Sequence, residues 1–360
     1  MGTLVDVGVK SEVKITIDGN QILAPEGATI LEAATSSGIY IPHLCHDPRL
    51  KPFGACRVCI VEVAGARGFQ PACSTRVAEG MVVSTDTPAL SSARKTVVEL
   101  ILSDHPLDCL TCEKAGNCEL QEVAYRLGIK ESRFKGARAK RGEFDDGPIY
   151  RDYDKCILCG RCVRICSEVQ AVSAIDFFKR GFNAGIGVAY ARNLADSDCE
   201  FCGQCVSTCP VGAILPSSLR GKGRSWEFSR VRTVCPYCGC GCTIDLLFEG
   251  DMVVGVSAPI GEGVNGGNLC SKGRFGFSFV NHPDRLKSPL VRKDGELVPA
   301  SWDEALKATA EGLKKAIEVH GPDAVGGLAS AKCTNEENYL FQKFMRVAVG
   351  TNNVDHCARL

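Results

Sequence analysis

Apolar and polar side chains alternate near the start of the chain and predict a short strand over residues 13–17. The next residues, Asp18-Gly19-Asn20, are typical of a hairpin turn, because these residue types tolerate the left-handed backbone that tight hairpins need. A helical pattern follows over residues 29–37. The chain is therefore expected to begin with a small domain of mixed strands and helices.

The last sixty or so residues change to an alternation of helices and strands. The predicted order is helix, strand, helix and strand, over residues 301–319, 324–328, 335–349 and 353–355. Ser301 and Glu304 have the spacing of a capping box, and Gly321 and Gly350 are the expected helix ends. This order predicts the beginning of an open α/β sheet. Two or three strands cannot bury both faces of such a sheet, so this part is not expected to be stable alone.

Charge and hydropathy narrow the class of protein. The 360 residues include 42 basic and 42 acidic side chains, a balance that gives no reason to expect nucleic acid or a membrane surface as a partner. Residues 1–10 lack the apolar run of a signal peptide, and no later segment has the roughly 18 apolar residues of a membrane span. We expect a soluble, cytoplasmic chain of several domains with no membrane span.

The 22 cysteines dominate the candidate chemistry. They occur in tight groups, and no export signal suggests an oxidising compartment, so metal ligation is expected rather than disulfides. Five groups account for every cysteine except Cys240, Cys333 and Cys357.

The first group lies in residues 11–92 and follows the predicted strand and helix in the sequence. Its members are Cys45, Cys56, Cys59 and Cys73. The arrangement resembles plant-type [2Fe–2S] ferredoxins, which implies a β-grasp domain, although ten residues separate the first two cysteines where the plant pattern has four. That departure resembles the large iron–sulfur subunit of complex I and its relatives. On this motif alone, a zinc site is the alternative.

The second group, in residues 93–132, combines one histidine with three cysteines. Its members are His105, Cys109, Cys112 and Cys118. Three thiolates and an imidazole complete a four-ligand site, which fits a [4Fe–4S] cluster or zinc equally well in isolation. The neighbouring groups favour the cluster.

The third and fourth groups, in residues 147–219, have the spacing of two-cluster bacterial ferredoxins. In that pattern, the fourth cysteine of each run binds the other cluster. One predicted [4Fe–4S] ligand set is Cys156, Cys159, Cys162 and Cys209, and the other is Cys199, Cys202, Cys205 and Cys166. Ser167 stands where proline is usual, a change that touches the turn and not the ligands.

The fifth group, in residues 228–285, is Cys235, Cys238, Cys242 and Cys270. With Ser271-Lys272-Gly273 after it, the group resembles the [4Fe–4S] domain of molybdenum and tungsten bis-pterin oxidoreductases. The resemblance implies that Lys272 lies between cluster and pterin, and that residues 286–360 begin the molybdopterin-binding domain. Cys240 falls between ligands and is interpreted as a bystander.

Three weaker patterns are interpreted as connections. The Gly-x-Gly-x-x-Gly match at residues 261–266 has no clear helix after it, so we expect a turn inside the ligand loop rather than a dinucleotide site. The basic stretch 130–141 and the Gly/Ser-rich stretch 217–224 are expected to be linkers between modules.

The end of the chain carries a further resemblance. Ala-Lys-Cys-Thr-Asn-Glu-Glu-Asn-Tyr at 331–339 and Gly-Thr-Asn-Asn-Val-Asp-His-Cys-Ala-Arg-Leu at 350–360 resemble formate dehydrogenase catalytic subunits. In that family the next residue is the metal-binding selenocysteine or cysteine, followed by a histidine. We hypothesise that the sequence stops at a selenocysteine codon after Leu360 and that the protein continues with the pterin domain.

The resemblance implies a multidomain α+β enzyme that interconverts formate and carbon dioxide at a molybdenum or tungsten bis-molybdopterin guanine dinucleotide centre. One [2Fe–2S] and four [4Fe–4S] clusters would pass electrons to an NAD(P)-linked flavoprotein iron–sulfur subunit, with ferredoxin a second candidate partner. The alternatives are a complex I large iron–sulfur subunit, an iron-only hydrogenase and a stand-alone electron relay. The choice of metal and of electron acceptor stays open.

Overall fold

The computed structural model describes residues 11–189 and 193–356. The chain divides into two compact units, Met1–Phe228 and Ser229–Leu360, which are taken separately below. The final residues of the formate dehydrogenase-like motif, 357–360, lie outside the described residues.

The first unit opens with a five-stranded mixed sheet. Its elements are β1 (Glu12–Ile17), β2 (Asn20–Pro25), α1 (Ile30–Ser36), β3 (Ile60–Val63), β4 (Gln70–Pro71) and β5 (Val82–Ser84). The strand order is β2-β1-β5-β3-β4, with β1 and β5 parallel and the other pairs antiparallel. The predicted hairpin forms, because Asp18 and Gly19 both adopt positive φ angles between β1 and β2.

Alternation along β1 sends its apolar side chains into the core of this sheet. Ile15 and Ile17 are fully buried and pack with Ile30 and Leu31 of α1. A capping box fixes the start of α1: Thr29 accepts from the amide of Glu32, and the Glu32 carboxylate accepts from the amide of Thr29. The predicted strand and helix are thus both present, within one residue of their expected ends.

The rest of the first unit holds the second, third and fourth cysteine groups. Its elements are α2 (Pro88–Ser103), α3 (Glu119–Arg126), β6 (Glu143–Asp146), β7 (Ile149–Asp152), α4 (Arg161–Glu168), β8 (Asp176–Phe178), β9 (Gly185–Gly187), α5 (Gln204–Thr208) and β10 (Ile214–Pro216). Strands β10, β7 and β6 form one antiparallel sheet, and β8 pairs with β9. The buried Arg94 of α2 donates to the carbonyls of Thr85 and Ile60, which fastens α2 to the first sheet.

Both segments predicted as linkers make side-chain contacts with other parts of the first unit. Arg133 pairs with the buried Glu99 of α2 at 2.5 Å, and Arg141 pairs with Asp104 at 2.7 Å. Arg224 donates to backbone carbonyls in the loop of the second cysteine group. Composition alone could not show this, because exposed and paired basic residues have the same sequence signature.

The second unit begins with a three-stranded antiparallel sheet and continues into the α/β region. Its elements are β11 (Ser229–Val234), β12 (Thr243–Glu249), β13 (Met252–Ser257), α6 (Ser271–Phe275), β14 (Leu290–Lys293), β15 (Glu296–Pro299), α7 (Trp302–His320), β16 (Gly327–Ala329), α8 (Asn335–Phe344) and β17 (Val354–His356). Residues 260–267 form the turns expected of the glycine-rich stretch.

The predicted helix and strand order of the α/β region is present, with shifted boundaries. β16 starts three residues late, because Pro322–Ala324 forms a 3-10 turn instead. It pairs in parallel with β17, as an open α/β sheet requires. Of the capping box expected for α7, only the bond from the Glu304 amide to Ser301 is present. Neither α7 nor α8 buries a side chain among the described residues. No helix in the described ranges is long and apolar enough to cross a membrane.

Candidate metal centres

The thiols of the first group meet at one place in the loops between α1 and β5. Cys45, Cys59 and Cys73 are each about 1% exposed. The side chains of Cys56 and Cys73 hydrogen-bond to Cys45 and lower its pKa, and the same contacts raise the pKa of Cys56 and of Cys73. Four thiols that stabilise a thiolate among themselves in a buried site are well suited to a cationic iron centre.

The second group uses the loop between α2 and α3. His105 is buried, and its Nδ1 atom has no hydrogen-bond partner within the structure. Burial lowers the pKa of His105 to about 4, against an opposing effect of Asp108, so the imidazole is neutral at pH 7. A buried neutral imidazole with an unsatisfied nitrogen is the form in which histidine binds a metal.

Close packing fixes the loop that carries Cys112 of the same group. A Cβ atom added to Gly212 would lie 2.8 Å from Sγ of Cys112, so this thiol occupies the space that only glycine leaves open. Arg224 donates to the carbonyl oxygens of Cys112 and Leu110. Burial raises the pKa of Cys118 to about 11. The loop is thus held in place from the ferredoxin-like module and from the segment after it.

The third ligand set surrounds one apolar cavity. Its lining includes the four predicted ligands Cys156, Cys159, Cys162 and Cys209. Burial raises the pKa of Cys156 to about 11 and that of Cys159 to about 12. A separate cavity brings together the four cysteines of the other set, Cys166, Cys199, Cys202 and Cys205. In each case the fourth cysteine comes from the other run, which is the exchange that the spacing predicts.

The two ferredoxin-like runs repeat the same backbone device. Leu158 and Phe201 have positive φ angles, and so do Gly160 and Gly203 two residues later. This geometry turns amides toward sulfur: the Leu158 amide lies 3.4 Å from Sγ of Cys156. The Phe201 amide lies 3.4 Å from Sγ of Cys199. Such N–H to sulfur contacts stabilise negative charge on a thiolate.

The fifth group lies at one end of the β11–β13 sheet in the second unit. A Cβ atom on Gly273 would lie 3.6 Å from Sγ of Cys235 and 3.8 Å from Sγ of Cys270, so these two thiols are close together. The Sγ atoms of Cys242 and Cys240 are 3.6 Å apart. Cys238, Cys240 and Cys270 are exposed. The predicted bystander Cys240 therefore touches the predicted ligand Cys242.

Lys272 follows Cys270 on the short helix α6, and its side chain is exposed. Its neighbour Gly273 donates its amide to Sγ of Cys270 at 3.5 Å. The lysine is therefore on the surface of the fifth group, where a cofactor or another part of the protein could reach it.

The donor sets consist almost wholly of cysteine thiols, the usual ligands of iron–sulfur clusters. No disulfide joins cysteines in the described part of the chain. The two ferredoxin-like ligand sets each line a separate, mostly apolar cavity.

Comparison with protein families accounts for almost the whole chain. The matches are a 2Fe-2S iron–sulfur cluster binding domain (residues 10–88), the NADH-ubiquinone oxidoreductase-G iron–sulfur binding region (94–133), a 4Fe-4S dicluster domain (155–213), a molybdopterin oxidoreductase Fe4S4 domain (228–282) and molybdopterin oxidoreductase (285–360). The chain belongs to the iron–sulfur oxidoreductases that carry a molybdopterin oxidoreductase region. These modules follow one another in the predicted order.

Several relatives show the same relationship over the full chain. The NADPH-Fe(3+) oxidoreductase subunit alpha of Geobacter sulfurreducens is 41% identical over 97% of this chain and 40% of its own length. An NADH-quinone oxidoreductase subunit of Rhizobium meliloti is 39% identical over 96% of the chain and 40% of its own length. A Staphylococcus aureus protein with the provisional name formate dehydrogenase is 30% identical over 98% of the chain and 39% of its own length.

A solved structure supports the fold of this oxidoreductase. One chain of an NAD+-reducing [NiFe]-hydrogenase in the H2-reduced state matches with a TM-score of 0.54 and 32% identity, over 57% of this chain and 87% of that one. The sequence spans about 40% of the length of the curated relatives named above.

Sequence reasoning missed the residues that hold the centres in place. Arg161, Gly212 and Arg224 contact ligand loops without being ligands. Gly212 and Arg224 carry no sequence signal, because their partners lie about a hundred residues away in the chain. Arg161 could have been noticed, since it stands between Cys159 and Cys162 where the second run has Gln204 between Cys202 and Cys205.

Proposed function

We propose that this chain is the electron-transfer part of a cytoplasmic formate dehydrogenase catalytic subunit, which interconverts formate and carbon dioxide and delivers electrons to an NAD(P)-linked flavoprotein partner. The observation that carries the choice of formate is the pair of motifs at 331–339 and 350–360. The oxidoreductase class itself rests on the matched families.

The proposed ligands are those that the five groups supply. Cys45, Cys56, Cys59 and Cys73 would hold a [2Fe–2S] cluster, and the mixed sheet around α1 supports the β-grasp assignment. The four [4Fe–4S] sets are His105 with Cys109, Cys112 and Cys118; Cys156, Cys159, Cys162 and Cys209; Cys199, Cys202, Cys205 and Cys166; and Cys235, Cys238, Cys242 and Cys270. When bound, such clusters supply one-electron transfer.

The protein's own contribution is to keep the thiolates apart from water and to stabilise their charge. The cavities of the third and fourth groups are lined by apolar side chains such as Ile186 and Leu194. Backbone amides point at sulfur in several of the groups, among them those of Cys56, Leu158, Phe201 and Gly273. Amide donors and low exposure are the two ways in which a protein sets the potential of such a centre.

Lys272 is proposed to face the pterin of a molybdenum or tungsten bis-molybdopterin guanine dinucleotide cofactor. Its exposed ammonium group on α6, two residues after Cys270, supports that assignment. A positive charge there favours additional negative charge on either neighbour.

The partner proposal draws on the relatives. Two of them carry NADPH or NADH in their names, and the solved structure belongs to an NAD+-reducing enzyme. A flavoprotein iron–sulfur subunit that exchanges electrons with NAD(P) is the corresponding partner here, and ferredoxin is the second candidate.

The test uses the native complex, purified in the absence of oxygen so that oxygen-sensitive metal centres are retained. The proposal expects about 18 iron atoms per chain, molybdenum or tungsten, and reduction of a viologen dye that depends on formate. The second candidate function is a subunit of an NADH-quinone oxidoreductase, which the 39% identical Rhizobium relative favours. Dye reduction with NADH but not with formate, and no molybdenum or tungsten, would decide for that alternative.

A further inference from the structure

One guanidinium group connects the loops of three cysteine groups. Arg161 is the first residue of α4, and its side chain is only 5% exposed. Nη1 donates to Oε1 of Glu119 at 2.6 Å and to the Thr208 carbonyl at 3.1 Å. Nη2 donates to Oε2 of Glu119 at 2.8 Å and to the His46 carbonyl.

Each partner of Arg161 is the chain neighbour of a candidate ligand. His46 follows Cys45 of the first group, and Glu119 follows Cys118 of the second. Thr208 precedes Cys209, and Arg161 itself precedes Cys162, both in the third ligand set. The contacts join positions that are 115, 42 and 47 residues apart in the chain.

We propose that Arg161 is a positioning residue that fixes the loops of the first three cysteine groups relative to one another. The planar fork of arginine suits this role, since it can bond a carboxylate with two nitrogens and still reach backbone carbonyls on either side. As far as it concerns metal centres, the inference rests on the proposed function.

The charges around Arg161 give it a second effect. Its ion-pair partner Glu119 is 45% exposed, so water screens the carboxylate far more than the buried guanidinium. The buried Asp47 also acts on Arg161, but it is itself paired with Arg49 at 2.8 Å. The guanidinium therefore leaves positive charge facing the third ligand set, where it stabilises added negative charge. Replacement of Arg161 by a neutral side chain should shift the midpoint potential of that centre downward.

The fold supplies its own replacement for a test. Gln204 occupies the position in the second run that Arg161 occupies in the first, and it is likewise buried. Arg161→Gln therefore introduces a side chain that the same local backbone already accommodates. Arg164, one turn later, is the matched control, because it donates to the carbonyls of Cys45 and Lys51 but reaches nothing in the second group.

The experiment measures amide hydrogen exchange on the full chain as purified, and again after its iron has been removed. Two amides report on the loops: Glu119, which donates to the Pro210 carbonyl, and Leu50, which donates to the Asp47 carbonyl. Arg161→Gln is expected to speed exchange at both by at least about tenfold. Arg164→Gln is expected to affect Leu50 alone.

Arg161→Lys keeps the positive charge but loses the planar fork of the guanidinium group. Its exchange rates at the two amides are therefore expected to lie between those of the wild type and those of Arg161→Gln. If Arg161→Gln does not fold, the lysine variant decides by the same two amides. Exchange within twofold of wild type at both amides would overturn the inference. So would an equal rise at Ile15 in the first sheet, since that shows general loosening.

A second readout on iron-loaded chain separates this inference from the proposed function. The midpoint potential of the third-group centre should fall in Arg161→Gln and recover in Arg161→Lys. An unchanged potential with full iron overturns the charge effect. If the chain purified from its native source contains no iron, the proposed function is refuted. If Arg161→Gln still speeds exchange at the Glu119 and Leu50 amides of that chain, the positioning role stands.

Discussion

Replacement of Gly212 by alanine tests whether the second cysteine group is a metal centre packed to close tolerance. The new Cβ atom would lie 2.8 Å from Sγ of Cys112, 3.4 Å from Cβ of Lys114 and 3.5 Å from Cδ of Lys155. Gly212 does not have a positive φ angle, so alanine meets no backbone strain there. The perturbation is a single contact between one methyl group and one thiol.

The size of the effect follows from that contact. Comfortable separations for such atoms are about 3.5–4.0 Å, so the sulfur has to move by roughly 0.7–1.2 Å. Overpacking of this kind costs about 1–3 kcal/mol in the free energy of unfolding. Metal ligation tolerates displacements of only about 0.2 Å, so the second group should also lose its metal.

Two assays separate the consequences. Urea unfolding of the iron-free chain measures the packing cost, and iron analysis of the loaded protein is expected to fall from about 18 to about 14 atoms per chain. Gly136→Ala is the control, because Gly136 has open space around the added Cβ and no positive φ angle. A Gly212→Ala protein with full iron and wild-type stability would refute both the packing argument and the ligand assignment of Cys112.

The other predictions concern single side chains whose surroundings are well defined. Asp146→Asn removes the carboxylate that pairs with the buried Arg151 and should cost about 3–5 kcal/mol in urea unfolding, whereas Asp145→Asn, which loses only an exposed pair, should cost about 0–1 kcal/mol. Cys166→Ala should remove iron from the centre bound by Cys199, Cys202 and Cys205, and should leave the spectrum of the centre bound by Cys156, Cys159 and Cys162 unchanged. The reverse result would contradict the exchange of fourth ligands between the two runs. Cys240→Ser should retain the iron of the fifth group, and loss of four iron atoms would identify Cys240 as a ligand.

Sequence spacing predicted which cysteines of the two ferredoxin-like runs lie together, because coordination chemistry constrains distances along the chain. Two cysteines with two residues between them can both reach one centre from a single loop, so such a ligand pair is recognisable from its spacing in the sequence. The structure accordingly brings Cys209 beside the first run and Cys166 beside the second. Local elements were also predictable where a short-range bond defines them, as with the Thr29 capping box and the turn at Gly19.

Contacts between modules were not predictable, because they depend on side chains that are distant in sequence. The basic residues of 130–141 look like a solvated linker until Glu99 and Asp104 are seen beside them. The strand predicted at 324–328 started late for a local reason, since Pro322 favours a 3-10 turn over an immediate strand. The fifth group shows the same limit, as spacing alone does not distinguish Cys240 from Cys242 when their sulfur atoms touch.

The two ferredoxin-like runs show how a repeated backbone acquires different roles. Both place a glycine with positive φ before a short helix, and the next side chain is buried in each. In the first run that side chain is Arg161, which faces the loops of Cys45 and Cys118 through His46 and Glu119. In the second run it is Gln204, without a formal charge. A buried charge is stable only where partners are supplied, and Arg161 meets the Glu119 carboxylate and two backbone carbonyls. The helix of the second run also contacts the loop of the first group, where Thr208 donates to Asp47, so packing against another module does not by itself require a charge. The arginine is therefore accounted for by the partners that surround its own run, chief among them Glu119.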